Sequence, residues 1–289
     1  MSDMRTEEKN KIVGGTLYLV ATPIGNLSDM SERALKVLSE VDFIAAEDTR
    51  NTLRMLTYFG ISKPMISYFE HNKLERGEEI ASRLESGESC ALVTDAGTPA
   101  ISDPGEDIVR LCSERNISVT SVPGACAGIC ALTLSALPTA RFCFEGFLPA
   151  KKSDKKKRLE ALCREERTML FHEAPHKLKD TLGAMREVFG ENRKIALCRE
   201  LTKLNEEIIR VTLAEAEAYY EEREPRGEYV LVVAGCEEPS AKDEISDVSI
   251  EEQVELYMRG GMSKMDAVKR TARERGLPKN DVYKLFTRD

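Results

Sequence analysis

Short apolar runs and longer amphipathic segments alternate along the first half of the chain. Five apolar runs have the composition of buried strands, and they lie at residues 16–21, 42–46, 64–69, 90–94 and 117–122. The segments between them place apolar residues at helical spacing, as at Leu53, Leu56 and Phe59 before Gly60. Strands that alternate with helices predict a mainly parallel, five-stranded sheet that is covered on both faces.

A second series of apolar runs begins after residue 140 and predicts a different sheet. Its strands are expected at residues 142–148, 168–172, 194–198, 207–213 and 228–234, and its helices near 154–163, 176–188 and 214–222. The strand at 207–213 follows the one that ends at 198 too closely for a crossover helix. Because parallel neighbours need such a crossover, the second sheet is predicted to be mixed or partly antiparallel.

The two series and a polar tail predict an α/β protein with two lobes. At 289 residues the chain is long for a single domain. The predicted parts are a disordered start (1–15), an N-terminal lobe (16–123), a C-terminal lobe (124–238), an acidic linker (239–248) and a small helical module (249–289). The module has helices at 250–258, 263–275 and 279–286. Its pattern is similar to a helix-turn-helix, and an oligomerisation or packing module fits it equally well.

The composition is that of an ordinary globular enzyme. A net charge of −8 argues weakly against a surface built wholly for nucleic acid, but it leaves room for local basic patches. Eight cysteines without a CxxC pair predict buried, reduced thiols and a cytoplasmic protein, and three histidines leave little for a metal site. The charged first eleven residues do not predict a signal peptide, and no stretch predicts a membrane span.

The loop after the strand at 90–94 is the clearest candidate for a ligand site. Gly97, Pro99 and other small or turn-forming residues follow the apolar run at once, and Asp103 is expected to cap a helix that begins at Pro104. In an open parallel sheet, such a loop lies at the carboxyl end of its strand, where α/β proteins bind ligands. Glycine lets a ligand reach the backbone, and the prolines stiffen the loop. An ordinary connection with a capped helix explains the same residues.

Six ordered blocks of sequence stand out between residues 16 and 235. They read LVATPIGNL at 19–27, EDTR at 47–50, DAGTPAISDPG at 95–105, PG at 123–124, EAPH at 173–176 and RELTK at 199–203. In these blocks the chain resembles the tetrapyrrole methylase superfamily and, within it, the ribosomal RNA small subunit methyltransferase I family. The resemblance implies a homodimer of two-lobed subunits with S-adenosylmethionine between the lobes. It also implies methylation of the 2′-hydroxyl of a cytidine, family position 1402, in the decoding region of the 16S rRNA of the 30S subunit.

By the same resemblance, nine residues are expected to contact S-adenosylmethionine. They are Pro23, Ala96, Gly97, Thr98, Ile101, Cys126, Ala127, Glu173 and Leu201. The family commonly has Tyr before the Glu of the EAPH block and Arg after its His, where this chain has His172 and Lys177. Cys126 stands where the family commonly has Ser, so the resemblance implies a backbone contact to the cofactor there and no hydroxyl contact.

Two charged blocks at strand ends are candidates for the chemistry. Methyl transfer to a ribose 2′-hydroxyl requires donor and acceptor in line, and a group that accepts the hydroxyl proton. In the first block, Glu47 or Asp48 can accept the proton while Arg50 holds a phosphate. A helix cap and a surface ion pair explain the same residues. The second block offers Arg199 and Glu200, for which an internal ion pair is the structural alternative.

Affinity for RNA requires cations whatever the net charge of the protein. The run at 151–158 has six cations and one acid, a local charge of +5, at the edge of the second lobe. Most such runs are solvated faces, but lysines at a helix start oppose the helix dipole, and that cost supports a phosphate-binding role. The predicted RNA contacts are Lys151, Lys152, Lys155, Lys156, Lys157, Arg158, His176 and Lys203. For His176, a cap or a packing contact is the alternative.

Two other functions fit parts of the pattern. The same fold and cofactor would suit a methyltransferase that acts on a tetrapyrrole or corrin precursor, although the basic run, the charged tail and the EDTR block favour RNA. A non-enzymatic regulator would use the lobes as a ligand sensor and the tail to read nucleic acid. That function predicts sequence-specific duplex binding without methyl turnover.

Overall fold

The computed structural model describes residues 10–236, 249–275 and 277–286. The chain divides into two units, with the division between Ala234 and Gly235. Within the described residues, the first unit holds two five-stranded sheets and the second holds three helices. The predicted linker at 239–248 and the first nine residues of the predicted disordered start lie outside the described residues.

The first sheet is parallel throughout, which confirms the prediction. Its strands are β1 (Thr16–Val20), β2 (Phe43–Ala46), β3 (Met65–Ser67), β4 (Cys90–Val93) and β5 (Ser118–Val122), in the order β3-β2-β4-β1-β5. The helices between them are α1 (Glu32–Glu40), α2 (Thr49–Tyr58), α3 (Lys73–Glu85) and α4 (Gly105–Glu114). Because β2, β4 and β1 are neighbours and parallel, the loops that follow them lie at one edge of the sheet.

The helices of this lobe pack their apolar faces on both sides of the sheet. In α1, Ser31 caps the helix by accepting a hydrogen bond from the backbone of Ala34, and Val37 and Leu38 are buried. These side chains join a core with residues of β1, β2 and β4. A second core, which includes Ile80 of α3 and Ile108 of α4, covers the opposite face.

The second sheet is mixed, as predicted. Its strands are β6 (Phe142–Phe147), β7 (Thr168–Glu173), β8 (Lys194–Arg199), β9 (Glu207–Thr212) and β10 (Tyr229–Val233), in the order β6-β7-β10-β8-β9. Only β6 and β7 pair in parallel, and the other neighbours are antiparallel. The helices are α5 (Ala127–Leu134), which connects the lobes, and then α6 (Lys152–Leu162), α7 (Pro175–Phe189) and α8 (Leu213–Glu221).

The second unit is a three-helix module, as predicted. Its helices are α9 (Ile250–Arg259), α10 (Lys264–Arg275) and α11 (Lys279–Phe286). Ser249 and Glu252 form a capping box at the start of α9. A small core of Val254, Ala267, Val268, Ala272 and Val282 holds the helices together.

Three local features differ from the sequence predictions. The sequence predicts a disordered start at residues 1–15, but the Val13 amide donates to Tyr18 Oη at 2.8 Å and the Gly15 amide donates to Glu88 O at 2.9 Å. Helix α4 begins at Gly105, because the Asp103 carboxylate accepts the Gly105 amide at 2.7 Å and forms a turn before the helix.

Burial of the cysteines is the third difference. Of the eight cysteines, only Cys90, Cys112 and Cys198 are buried, and the others are partly exposed.

Among the helices of the described residues, none combines the length and the apolar character that a membrane span requires.

Candidate active site

The loops after β1 and β4 hold each other in place at the edge of the first sheet. The Thr22 amide donates to Gly97 O at 2.9 Å, and the Gly97 amide donates to Thr22 O at 3.0 Å. Thr22 Oγ1 also donates to Thr94 O at 3.0 Å. Gly97 has φ of +86°, a left-handed conformation that side chains disfavour. The two loops therefore form a preformed wall that presents backbone atoms.

A third loop, after β5, completes this wall. Thr98 Oγ1 donates to Ala125 O at 3.0 Å and so ties the β4 loop to the β5 loop. Gly124 allows the close approach to β1, since a Cβ at this position would lie 2.8 Å from Ala21 Cβ. The proline- and glycine-bearing blocks of the sequence thus meet at one place.

Backbone strain concentrates in the loops that border this wall. Ala100 and Ser102 of the β4 loop have positive φ angles of 67° and 64°. Glu200 and Thr202, in the loop after β8, have φ angles of 52° and 65°. Positive φ in residues other than glycine costs free energy and is enriched at ligand sites, so the strain points to the same region as the loop geometry.

Two adjoining cavities lie between this wall and the second sheet. The first has a volume of about 200 Å³ and is lined from the second lobe by Phe142, Phe144, Leu170 and His172. The second has a volume of about 520 Å³ and extends past the starts of α7 and β10. Both cavities are lined by Ile24, Ala96, Ala127 and His172.

Eight of the nine predicted cofactor contacts line these cavities. Ala96, Gly97, Thr98, Ile101, Cys126 and Ala127 line the first, and Ala96, Ala127, Glu173 and Leu201 line the second. Pro23 does not line either cavity, but it precedes Ile24, which lines both. The structure thus brings together blocks that are up to 180 residues apart in sequence.

Glu173 contributes a buried carboxylate to the second cavity. Its Oε1 accepts the Ala174 amide at 2.9 Å, and its Oε2 accepts Thr181 Oγ1 at 2.6 Å. The residue is only 5% exposed, so its contact with the cavity is confined to a small part of its surface. A carboxylate held in this way can accept a further hydrogen bond from a ligand hydroxyl or amino group.

None of the five predicted catalytic residues lines either cavity. Asp48 caps α2 by accepting the Arg50 amide at 2.8 Å, and its carboxylate also pairs with the Arg50 guanidinium. These hydrogen bonds lower the pKa of Asp48 to about 2. The arrangement is the helix cap and surface ion pair that the sequence left open as an alternative. The Arg50 side chain remains 85% exposed.

Asp95 is an acid beside the cavities that the sequence prediction of catalytic residues omitted. Its carboxylate accepts the Asp48 amide at 3.2 Å and Asn51 Nδ2 at 3.4 Å. Burial raises the pKa of Asp95, and the negative charge of Glu47 raises it further. Glu47 accepts Thr94 Oγ1 at 2.8 Å. The signal was available in the sequence, because Asp95 lies between the apolar run of β4 and the glycine of the loop.

Arg199 and Glu200 of the second charged block each form an internal ion pair, but with other residues rather than with each other. Arg199 Nε lies 3.4 Å from Glu207 Oε2, on the neighbouring strand β9. Glu200 instead accepts Lys203 Nζ and the Glu228 amide, each at 2.9 Å.

Lys203 and His176, both predicted RNA contacts, line the second cavity. Burial opposes the charged form of Lys203, but hydrogen bonds to Glu200 and Glu228 outweigh it, so the pKa of Lys203 is raised. The lysine is therefore a fixed positive charge at the cavity wall.

His172 lines both cavities and was missed as a site residue. Its ring lies 5.4 Å from the ring centroids of both Phe144 and Phe147. Burial lowers the pKa of His172 despite the opposing charge of Glu228, so the ring is neutral at pH 7. No local pattern marks this residue, because a histidine near the end of a strand is unremarkable until the neighbouring strand is known.

The basic run at 151–158 does not form one exposed face. Lys155 is buried and donates to Thr181 Oγ1 at 2.9 Å, so it is unavailable to RNA in this conformation. This location contradicts the prediction for Lys155. Three other cations pair with acids of the protein: Lys151 with Asp154, Lys156 with Glu187 and Arg158 with Glu145.

Lys152 and Lys157 are the exposed cations of the run that have no such partner among the residues that the structure describes. Of the six cations in the run, these two exposed lysines of α6 are therefore the ones left to meet a phosphate.

A family model and similar curated proteins place the chain in the same family. The family model described as Tetrapyrrole (Corrin/Porphyrin) Methylases matches residues 16–217. The chain is 45% identical to the ribosomal RNA small subunit methyltransferase I of Synechocystis sp. over 271 residues, which cover 94% of this chain and 97% of the relative. It is 49% identical to the protein of the same name from Pseudomonas aeruginosa over 233 residues, which cover 80% of this chain and 83% of the relative.

Solved structures resemble the fold at much lower identity. A uroporphyrin-III C-methyltransferase from Thermus thermophilus, solved in complex with S-adenyl homocysteine, has a TM-score of 0.53 at 14% identity and covers 76% of this chain and 97% of that one. A diphthine synthase has a TM-score of 0.59 at 14% identity and covers 76% of this chain and 90% of that one. At such identity the similarity establishes the fold alone.

Proposed function

We propose a reaction and a substrate from one premise: the chain belongs to the ribosomal RNA small subunit methyltransferase I family of the tetrapyrrole methylases. The protein transfers a methyl group from S-adenosylmethionine to the 2′-hydroxyl of a cytidine in small-subunit rRNA, at family position 1402 in the decoding region. The observation that carries this proposal is the pair of adjoining cavities, with preformed loops of the first sheet on one side and side chains of the second sheet on the other.

The cavities suit S-adenosylmethionine in size and in chemistry. The second cavity, at about 520 Å³, is in the range of small-molecule sites, and the adjoining first cavity adds about 200 Å³. At Gly97 a Cβ would lie 3.4 Å from Ile24 Cγ2, so the absence of a side chain leaves room for a ligand against the backbone. Glu173 offers a buried acceptor for a hydroxyl or amino group. The complex of the Thermus thermophilus enzyme with S-adenyl homocysteine is in keeping with this assignment.

When bound there, S-adenosylmethionine supplies an electrophilic methyl group on a positively charged sulfur. The residues of this chain must place the ribose hydroxyl in line with that methyl group and take up its proton. Asp95 immediately precedes Ala96, which lines both cavities, and its raised pKa suits a proton acceptor better than the low pKa of Asp48 does. We therefore assign proton uptake to the pair of Asp95 and Glu47.

The remaining charged candidates take positioning roles in the proposal. Asp48 fixes the start of α2 and orients Arg50, whose exposed guanidinium is suited to an RNA phosphate. Arg199 and Glu200 anchor the loop that carries Leu201 into the second cavity. The 30S subunit as partner, a homodimeric assembly and a cytoplasmic location complete the proposal.

Incubation of the purified chain with methyl-labelled S-adenosylmethionine and 30S particles tests the reaction. We expect label in 16S rRNA, and mapping of ribose methylation should place it at position 1402. Naked 16S rRNA in a parallel reaction separates the free RNA from the assembled particle as substrate. Label in a tetrapyrrole precursor instead of RNA, or methyl groups on a base rather than a ribose, would contradict the proposal.

A further inference from the structure

A buried lysine interrupts the apolar stripe of α6. Lys155, Leu159 and Leu162 are the buried residues of this helix, and their spacing places them on one face. Lys155 is 7% exposed, whereas the cations that flank it in sequence are exposed. Lysine is rarely buried without a partner, so its position on the inner face calls for a specific contact.

The contact is a hydrogen-bonded relay that ends in the second cavity. Lys155 Nζ donates to Thr181 Oγ1 at 2.9 Å, and Thr181 Oγ1 donates to Glu173 Oε2 at 2.6 Å. A hydroxyl has a single proton, and a lysine ammonium can only donate, so the direction of both hydrogen bonds is fixed. Thr181 is completely buried, and Glu173 lines the cavity.

The relay compensates two charges that would otherwise be buried alone. Within the described part of the chain, Lys155 has no acidic group within 4.0 Å, so its charge is balanced through the hydroxyl rather than by direct contact. Removal of one member of such a network leaves the others without a partner in a region of low dielectric constant. Loss of the Thr181 hydroxyl would therefore release the Glu173 carboxylate from its fixed rotamer.

We propose that Lys155 and Thr181 are positioning residues that hold the Glu173 carboxylate in the wall of the second cavity, where it accepts a hydrogen bond from a hydroxyl or amino group of S-adenosylmethionine. This inference rests on the proposed function, because it assigns the ligand of that same site. It also separates the lysines of α6 by role: Lys152 and Lys157 are exposed to solvent, and Lys155 supports the cofactor site.

Thr181→Val tests the relay, because valine has nearly the shape of threonine and lacks the hydroxyl. We expect S-adenosylmethionine affinity, measured by calorimetry, to fall roughly tenfold, as for the loss of a hydrogen bond to a charged group. Thr181→Ser retains the hydroxyl and should restore affinity to within about threefold. Lys155→Met should weaken binding in the same direction.

Thr168→Val is the matched control for stability. Thr168 is also a buried threonine of the second lobe, and its hydroxyl donates to Pro138 O at 2.6 Å, but it does not line either cavity. We expect Thr168→Val to lower the melting temperature without changing S-adenosylmethionine affinity. If both valine variants weaken binding equally, the effect of Thr181→Val reflects general loss of stability and the relay is refuted.

A double-variant cycle shows whether Thr181 acts through Glu173. Glu173→Gln alone should weaken binding, and addition of Thr181→Val to it should cause little further loss. Unchanged affinity in Glu173→Gln, or additive losses in the double variant, would overturn the proposal. If the wild-type protein itself binds no S-adenosylmethionine, the proposed function fails, whereas wild-type binding that is insensitive to Thr181→Val refutes the relay alone.

Discussion

The two lobes build their shared site in different ways. The first lobe contributes loops at the ends of parallel strands, and its wall consists of backbone and small side chains, such as Ala96 and Gly97. The second lobe contributes large or charged side chains from its sheet, among them Phe144, His172 and Glu173. The first wall is therefore rigid and shaped by turns, whereas the second wall depends on the packing and charge of individual side chains.

Substitution of the acids of the first lobe should have the largest effect on the reaction rate, because these acids are proposed to accept the proton. Removal of a general base commonly slows a reaction by about 10²- to 10⁴-fold. We expect Asp95→Asn and Glu47→Gln to reduce methyl transfer by at least about 100-fold in single-turnover assays with 30S particles, while S-adenosylmethionine affinity stays within about threefold. Glu40→Gln, which removes an exposed acid of α1, is the control.

The pH dependence of the same assay sharpens this assignment. The pKa of Asp95 is raised, so its base form is lost as pH falls through that pKa and the rate should fall with it. An Asp95→Asn variant that retains the wild-type rate would remove Asp95 from the mechanism and leave the first lobe with a purely structural wall.

Gly97→Val tests whether the first wall acts through its backbone. Valine at φ of +86° is strained, and its side chain would enter the cavity beside Ile24. We expect S-adenosylmethionine affinity to fall by about 30-fold or more, which corresponds to about 2 kcal/mol. Gly60→Val is the matched control, because Gly60 has φ of +68° and a Cβ added there would meet no atom of the described residues within 4 Å.

Both glycine variants should lose stability by about 1–3 kcal/mol through backbone strain. Only Gly97→Val should also lose cofactor affinity. Calorimetry and thermal unfolding on the two variants separate these effects, and equal affinity in both would show that the loop backbone does not contact the ligand.

The contrast between the lobes also explains what the sequence could predict. The first wall follows from local rules: an apolar run, then glycine and proline, then a capped helix, and the parallel order places such loops together. Both sheets and the mixed character of the second agree with the sequence predictions. Periodicity and loop length sufficed for these features because they depend on neighbouring residues in the chain. The cofactor candidates rest instead on the family resemblance, and eight of them line the cavities.

The second wall could not be predicted in the same way. Strict alternation would place Phe144 and Phe147 on opposite faces of β6, yet both rings contact His172, because the register shifts between Phe144 and Gly146. Lys155 was misassigned for a related reason: its partner Thr181 lies on another helix, 26 residues away. A count of cations in the sequence cannot distinguish one that faces solvent from one that faces the core.

A smaller effect is expected at His172, in the second wall. This residue should make the stability of the fold depend on pH. Because burial holds the pKa of His172 below its ordinary value of 6.5, the ring is neutral in both the folded and unfolded states above that pH. Below pH 6.5 the unfolded state binds a proton that the folded state resists, so stability falls until pH passes below the lowered pKa. We expect His172→Gln to remove the contribution of His172 to this fall in stability, as measured by denaturant unfolding at a series of pH values. An NMR titration midpoint of the His172 ring above 6.5 would contradict the argument.

The smallest expected effect concerns the exposed lysines of α6 in the second lobe. Of the six cations at 151–158, three pair with acids of the protein and Lys155 is buried, which leaves Lys152 and Lys157 for phosphates. Each phosphate contact that is lost should lower the slope of log affinity against log salt by about one. We expect Lys152→Ala and Lys157→Ala each to weaken 30S binding by roughly two- to threefold at moderate salt, since exposed charges contribute little individually.

The slope of log affinity against log salt concentration tests this prediction better than the affinity at one salt concentration does. A change in folding or in cofactor binding alters affinity at all salt concentrations, whereas loss of a phosphate contact changes the slope itself. Lys194→Ala removes another exposed lysine of the second lobe and should leave the slope as in the wild type. If Lys152→Ala and Lys157→Ala also leave it unchanged, α6 does not contact RNA, and RNA affinity must come from other parts of the protein.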